Sequence, residues 1–126
     1  MPLTLNNDQL QERIKKVEGQ KFPLIELGRV FRVGKVVNEG VTTENVETGQ
    51  TFWLPQENVM CAYEHVRKCG KYTSADYEAG IIKVPRLAQI IALLALAVPE
   101  QIVSFTKDEG ERLFGVRRRG IRKKDC

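Results

Sequence analysis

Cys61, His65 and Cys69 fall at i, i+4 and i+8 of one segment, where soft ligand atoms would line one side of a helix. Zinc takes Cys and His, and Cys126 would offer a fourth ligand. The spacing works against such a site. Eight residues of straight helix rise roughly 12 Å, so the outer two cannot reach one ion. Cysteines on a partly apolar face ordinarily serve as small hydrophobes, and Cys61 and Cys69 fit that role. His65, beside Glu64, is the sole histidine, so a thiol mechanism with a His base would have to join it to Cys61 or Cys69, one turn away. No nucleophile elbow, Gly-rich phosphate loop or paired-His metal motif occurs. Carboxylates gather at expected turns: Glu39, Glu44 and Glu47 in one place, Asp108, Glu109 and Glu111 in another. Acids on turns are normally solvated. An enzyme, a metal and a cofactor are therefore not expected.

The charge pattern is more informative. Residues 115–126 hold six basic side chains, Arg117, Arg118, Arg119, Arg122, Lys123 and Lys124, against Asp125 alone. The other 114 residues carry 14 Lys/Arg and 15 Asp/Glu. The whole basic excess of a chain with net charge +4 thus sits at its C-terminal end. Such a block is an electrostatic handle for a polyanion, and nucleic acid is the expected partner. The plainer alternative is a solvated tail that only aids solubility.

The segments that must position these residues are readable from periodicity. Residues 7–18 read as a helix, with Asn6, Asn7 or Asp8 as cap and Leu10, Ile14 and Val17 on one stripe. Leu3 or Leu5 would staple its start. Residues 22–54 read as a small antiparallel β-meander: Ile25–Val33, then Lys35–Val37 as a second strand or a continuation past Gly34, Val41–Glu47 and Thr51–Leu54, with turns at 38–40 and 48–49. Phe52 and Trp53 should point to opposite faces, one to the core and one to a cover or a partner. Pro55 opens a helix over 56–69 that Gly70 closes. Thr73 and Ser74 should cap a short turn over 76–79, and Ile81–Val84 reads as a short strand. Pro85 opens a helix over 85–98 that Pro99 ends. This helix is apolar all round beyond Arg86 and Gln89. It is either the central core helix or a subunit interface, with Leu93, Leu94 and Leu96, together with Trp53, as contact residues of a homodimer or protein partner. A C-terminal β-hairpin should follow, with strands 101–106 and 111–116 about a turn at 107–110, burying Leu113, Phe114 and Val116.

The expected fold is α+β: one compact domain over 1–118 and a basic tail over 119–126. From residue 56 onward, the order of two or three helices and then a hairpin is similar to a winged-helix unit, in which the third helix meets the major groove and the hairpin acts as a wing. The likeness implies DNA contacts from Lys83, Arg86 and Gln89 at the start of the third helix, and phosphate contacts from the tail. One departure stands against it: the 85–98 helix has almost no polar face. The longest apolar run, 87–98, falls short of the roughly 20 residues of a membrane span. The N-terminus lacks the parts of a signal peptide, and three widely spaced cysteines suggest reduced thiols. No membrane is expected, and a cytoplasmic location is.

Overall fold

A computed structural model of the protein describes residues 4–24, 27–80 and 84–124. Helix α1 (Asn7–Lys16) opens it. The Asn6 side chain accepts from the Gln9 amide, and the Gln9 side chain accepts from the Asn6 amide in return, so two otherwise orphaned N–H groups are satisfied. Leu10 and Ile14, one turn apart, are fully buried, as the stripe requires.

Four antiparallel strands follow in chain order: β1 (Lys21–Pro23), β2 (Val30–Val37), β3 (Gly40–Asn45) and β4 (Thr51–Pro55). One bound differs from expectation. The second strand starts at Val30, because a turn at Leu27 and Gly28 precedes it, and residues 25 and 26 lie outside the described residues. It continues past Gly34 to Val37, one of the two courses expected, with a bulge between Val33 and Val36. At the 48–49 turn the Asn45 side chain accepts from the Glu47 and Thr48 amides, mimicking a backbone turn. Phe22, Phe31, Val33, Val41 and Leu54 fill the inner face of this meander.

Helix α2 (Gln56–Cys69) starts after Pro55 and ends at Gly70 as expected, burying Val59, Ala62, Tyr63 and Val66. Strand β5 (Lys71–Thr73) and helix α3 (Ser74–Glu78) come next. The Thr73 hydroxyl accepts from the Asp76 amide, the cap its sequence implies. The strand expected at 81–84 falls mostly on residues 81–83, outside those described. Helix α4 (Leu87–Ala97) touches α1, α2, β1 and two strands of the C-terminal sheet. It is the central core helix, which answers the apolar-all-round composition. None of the described helices is long and apolar enough to cross a membrane.

The C-terminal part departs most from the reading. Strand β6 (Ile102–Phe105) is followed by helix α5 (Lys107–Phe114), not by a turn and a return strand at 111–116. The reason is local. The Thr106 hydroxyl accepts from the Glu109 amide while the Glu109 carboxylate accepts from the Thr106 amide, and acids in the first turn with Arg112 in the last suit the helix dipole. The return strand is β7 (Gly120–Lys123), drawn from the segment expected to be a tail. It pairs antiparallel with both β5 and β6, giving the sheet order β5-β7-β6. Ile121 is fully buried while Arg122 and Lys123 are half-buried, so a strand can carry charge where it faces away from the core. Gly120 is required there: a Cβ would stand 2.2 Å from the Tyr72 carbonyl oxygen. Gly110 plays the same part in α5, where a Cβ would stand 2.2 Å from the Arg118 carbonyl oxygen. The connection 115–119 is thereby held against the helix.

Candidate nucleic-acid interface

The basic block is a structured ridge on α5, the 115–119 connection and β7. Residues 101–124 carry eight Lys/Arg against three Asp/Glu. Arg117 pairs with Asp108 and, at 3.4 Å, with Glu111, both on α5. Those two carboxylates, Asp108 foremost, make its guanidinium still harder to deprotonate. Arg118 reaches Glu78 of α3 at 3.0 Å. The Arg122 guanidinium donates to the Lys123 carbonyl at 3.1 Å, and the Ser74 amide donates to the Arg119 carbonyl at 3.2 Å. The amides of Lys123 and Lys124 donate to the carbonyls of Gly70 and Gln101. Part of the positive charge therefore has acidic partners in the same chain. The ion pairs of Arg117 and Arg118 are exposed on both sides, and water screens such pairs so that they contribute little.

Leu113 and Val116, expected to be buried, lie beside this charge at 44% and 41% exposure. Phe114 is half-buried, with its ring centroid 5.3 Å from that of Phe105 and the Lys71 ammonium 5.6 Å from it.

The residues expected at the start of the third helix separate from the ridge. Lys83 lies outside the described residues. Arg86 is the N-cap of α4, in left-handed backbone (φ 57°, ψ 43°), with its guanidinium 5.1 Å from the Phe52 ring centroid. Gln89 is not available to read a base edge: only 7% of it is exposed, and its carbonyl oxygen accepts the Thr43 hydroxyl. The two instead line one cavity of about 430 Å³, together with Arg29, Phe31 and Phe52. Arg29 went unnoticed in the sequence because it stood inside an expected strand. The Gly28 before it was the available signal of a turn.

Leu93 and Leu94 are fully buried and Leu96 is half-buried, so α4 is covered by the protein's own core, and the apolar face that motivated a subunit contact is not on the surface. Phe52 points inward, its centroid 5.6 Å from that of Phe31, and Trp53 points outward at 42% exposure.

Of the remaining constellation, Cys69 and His65 come together as a pair. Cys69 Sγ and His65 Nδ1 are 3.7 Å apart, and the His65 ring packs edge-on to Tyr72. Burial, and then the charge of Glu64, push the Cys61 thiol up, away from the thiolate a nucleophile or metal ligand needs. No cluster of three metal-ligating side chains occurs among the described residues, and Cys126 lies outside them. A cleft of about 960 Å³ at the start of α2 is lined by Glu39, Glu57 and Glu64, which suits no polyanion. No family model, curated protein or solved structure matches the chain.

Proposed function

We propose that this chain binds nucleic acid through the phosphate backbone, using the α5–β7 ridge as its contact surface. The observation that carries the reading is the run Arg117–Arg119, held on an ordered connection by the close approach of Gly110 to the Arg118 carbonyl, with Leu113 and Val116 exposed beside it. Charged side chains on a fixed surface lose less freedom on binding than those of a loose tail. Exposed apolar residues flanking arginines are the equipment of proteins that wedge into a minor groove. The order α2, α3, α4 and then the antiparallel β6–β7 pair supports a winged-helix-like arrangement, with α5 and the 115–119 connection as an enlarged wing. The burial of α4 argues against major-groove readout by that helix, so the binding is to backbone and groove shape, with weak sequence preference.

The test is anisotropy with a labelled duplex at several salt concentrations, comparing the full chain with the triple variant R117A/R118A/R119A. Each phosphate contact contributes about 0.9 to the slope of log K against log salt. The variant is expected to lose roughly two to three units of that slope and to bind at least about tenfold more weakly at low salt. Equal slopes for the two proteins, or no duplex binding by the full chain at low salt, would overturn the proposal.

A further inference from the structure

We infer that the cleft at the start of α2 is a binding site for a linear diamine or polyamine, an alkyl chain with an ammonium group at each end. The inference stands on α2 and the β2–β3 turn and does not rest on the ridge.

The cleft of about 960 Å³ carries three carboxylates, Glu39, Glu57 and Glu64, and no lysine or arginine on its wall. All three acids are exposed, and none makes an ion pair among the described residues. Glu57 and Glu64 stand two turns apart on α2, so they share one side of the helix at a rise of roughly 10 Å. Met60 and Cys61 fall between them on that side and are half-buried in the cleft wall. Burial first, and then the Glu64 charge, oppose ionisation of the Cys61 thiol, so this carboxylate lies near the sulfur. Glu39 comes from the turn between β2 and β3. Its carbonyl oxygen accepts the Gln56 amide at 2.8 Å, which holds that turn against the start of the helix.

A group of acids alone would mean little. The second observation is Gln56, the first residue of α2, which lines the same cleft. Gln56 is 4% exposed, and its side-chain oxygen is buried without a hydrogen-bond partner. Its amide nitrogen reaches the Asn7 carbonyl only at 3.5 Å, the outer limit of a hydrogen bond. So loose a hold leaves the amide able to turn its oxygen into the cleft. A buried acceptor without a donor is costly, and a donor entering the cleft would satisfy it. An ammonium group brings three N–H donors and no acceptor. It matches a wall on which the charged groups and the orphaned oxygen all accept. The N-terminal end of α2 opposes a cation with about half a positive charge, against three full negative ones.

Acceptors of this set select a cation, and their spacing selects more than a bare ion. Among the described residues no three acids, cysteines or histidines converge as metal ligands, so these carboxylates do not share one point. Hard divalent ions need several oxygens within about 2.6 Å of one centre. Glu57 and Glu64, two turns apart, are better matched by two charges joined through a chain. The stretch between them is apolar, from Met60 and Cys61 with Pro55 beside them. Methylenes can lie there with their ammonium ends at the carboxylates. The volume falls within the range of about 300–1,000 Å³ that takes small organic ligands.

The experiment is an NMR titration of the full chain, at constant ionic strength, with putrescine, spermidine, butylamine and magnesium chloride. Putrescine and spermidine are expected to move the Gln56 side-chain NH₂ and the Met60 methyl. Putrescine should bind about threefold or more tightly than butylamine, which has one ammonium group. E57Q/E64Q removes exposed charge at constant size, so it retains the fold, and it should weaken putrescine binding roughly tenfold. E47Q, beyond the other end of β3, should leave binding unchanged. Q56M removes the orphaned acceptor. It should weaken binding about threefold while the urea midpoint holds or rises, a combination that a merely structural glutamine would not give. The variant R117A/R118A/R119A should also bind putrescine as the full chain does, which separates this site from the ridge. The inference fails if neither amine with more than one charge moves Gln56 or Met60, or if magnesium at equal charge moves them as far. It fails as well if E47Q weakens binding as much as E57Q/E64Q, or if Q56M binds as the full chain does.

Discussion

Helices α4 and α5 each neighbour strand β6, yet they are stabilised in opposite ways. In α4, seven of eleven residues are buried and the N-cap makes no side-chain bond. In α5, Gly110 alone is buried, and a reciprocal Thr106–Glu109 cap closes the start. The first is held by the area it removes from water; the second is held by its ends and by charge. A helix of the first kind is unavailable to a partner. One of the second kind can tolerate changes over most of its surface, which suits the proposed contact surface beside it.

The sharpest break of that contrast is to truncate one leucine in each helix. Leu93→Ala should cost about 2–5 kcal/mol through lost burial and a residual cavity, read as a lower urea midpoint. Leu113→Ala should stay within roughly 0.5 kcal/mol of the parent, because it removes an exposed side chain. Comparable losses at the two positions would show that α5 packs as α4 does. Next in size is the cap. Thr106→Ala should destabilise by about 1 kcal/mol and raise amide exchange across α5 while leaving α4 protected.

The smallest effect is with pH. Hydrogen bonds from the Thr106 amide and hydroxyl hold the Glu109 carboxyl below the ordinary carboxylate range in the folded chain. A depressed folded pKa gives stability that is present above the unfolded value, about 4.3, and lost as pH falls through the folded one. Exchange protection of α5 should therefore be flat above about pH 5.5 and fall below about pH 4. Glu109→Gln keeps an accepting oxygen without the titration and should flatten the fall. An unchanged acid limb in that variant would assign it to other carboxylates.

The parts of the fold that read clearly were those with one dominant signal. For α1 and α2 it was an apolar stripe with caps, and for α4 an apolar run between two prolines, polar only at Arg86 and Gln89. The C-terminal sheet was misread because two signals competed. Lys107–Gly110 resembles a hairpin turn, but it begins with the Thr106–Glu109 pair of a capping box, and the box prevails over the glycine. Gly120–Lys123 looked like tail because charge dominates it, although Ile121 is the buried residue that makes it a strand. Deleting residues 117–126 would thus remove the middle of a sheet as well as charge, and only side-chain substitutions separate the two. Arg86 and Gln89 were legible as a pair from their spacing on a helix. Arg29 was not, since nothing local ties it to a residue so far along the chain.

Strands β5 and β6 do not pair with each other; β7 stands between them. Detaching those four residues would uncover Lys71–Thr73 and Ile102–Phe105 at the same moment, leaving two rows of unmet amides and carbonyls on one molecule. Each row is a template on which a stray chain could add. The density of lysine and arginine around this sheet then has a second effect, since like charges on two opened molecules would push them apart before their edges could join.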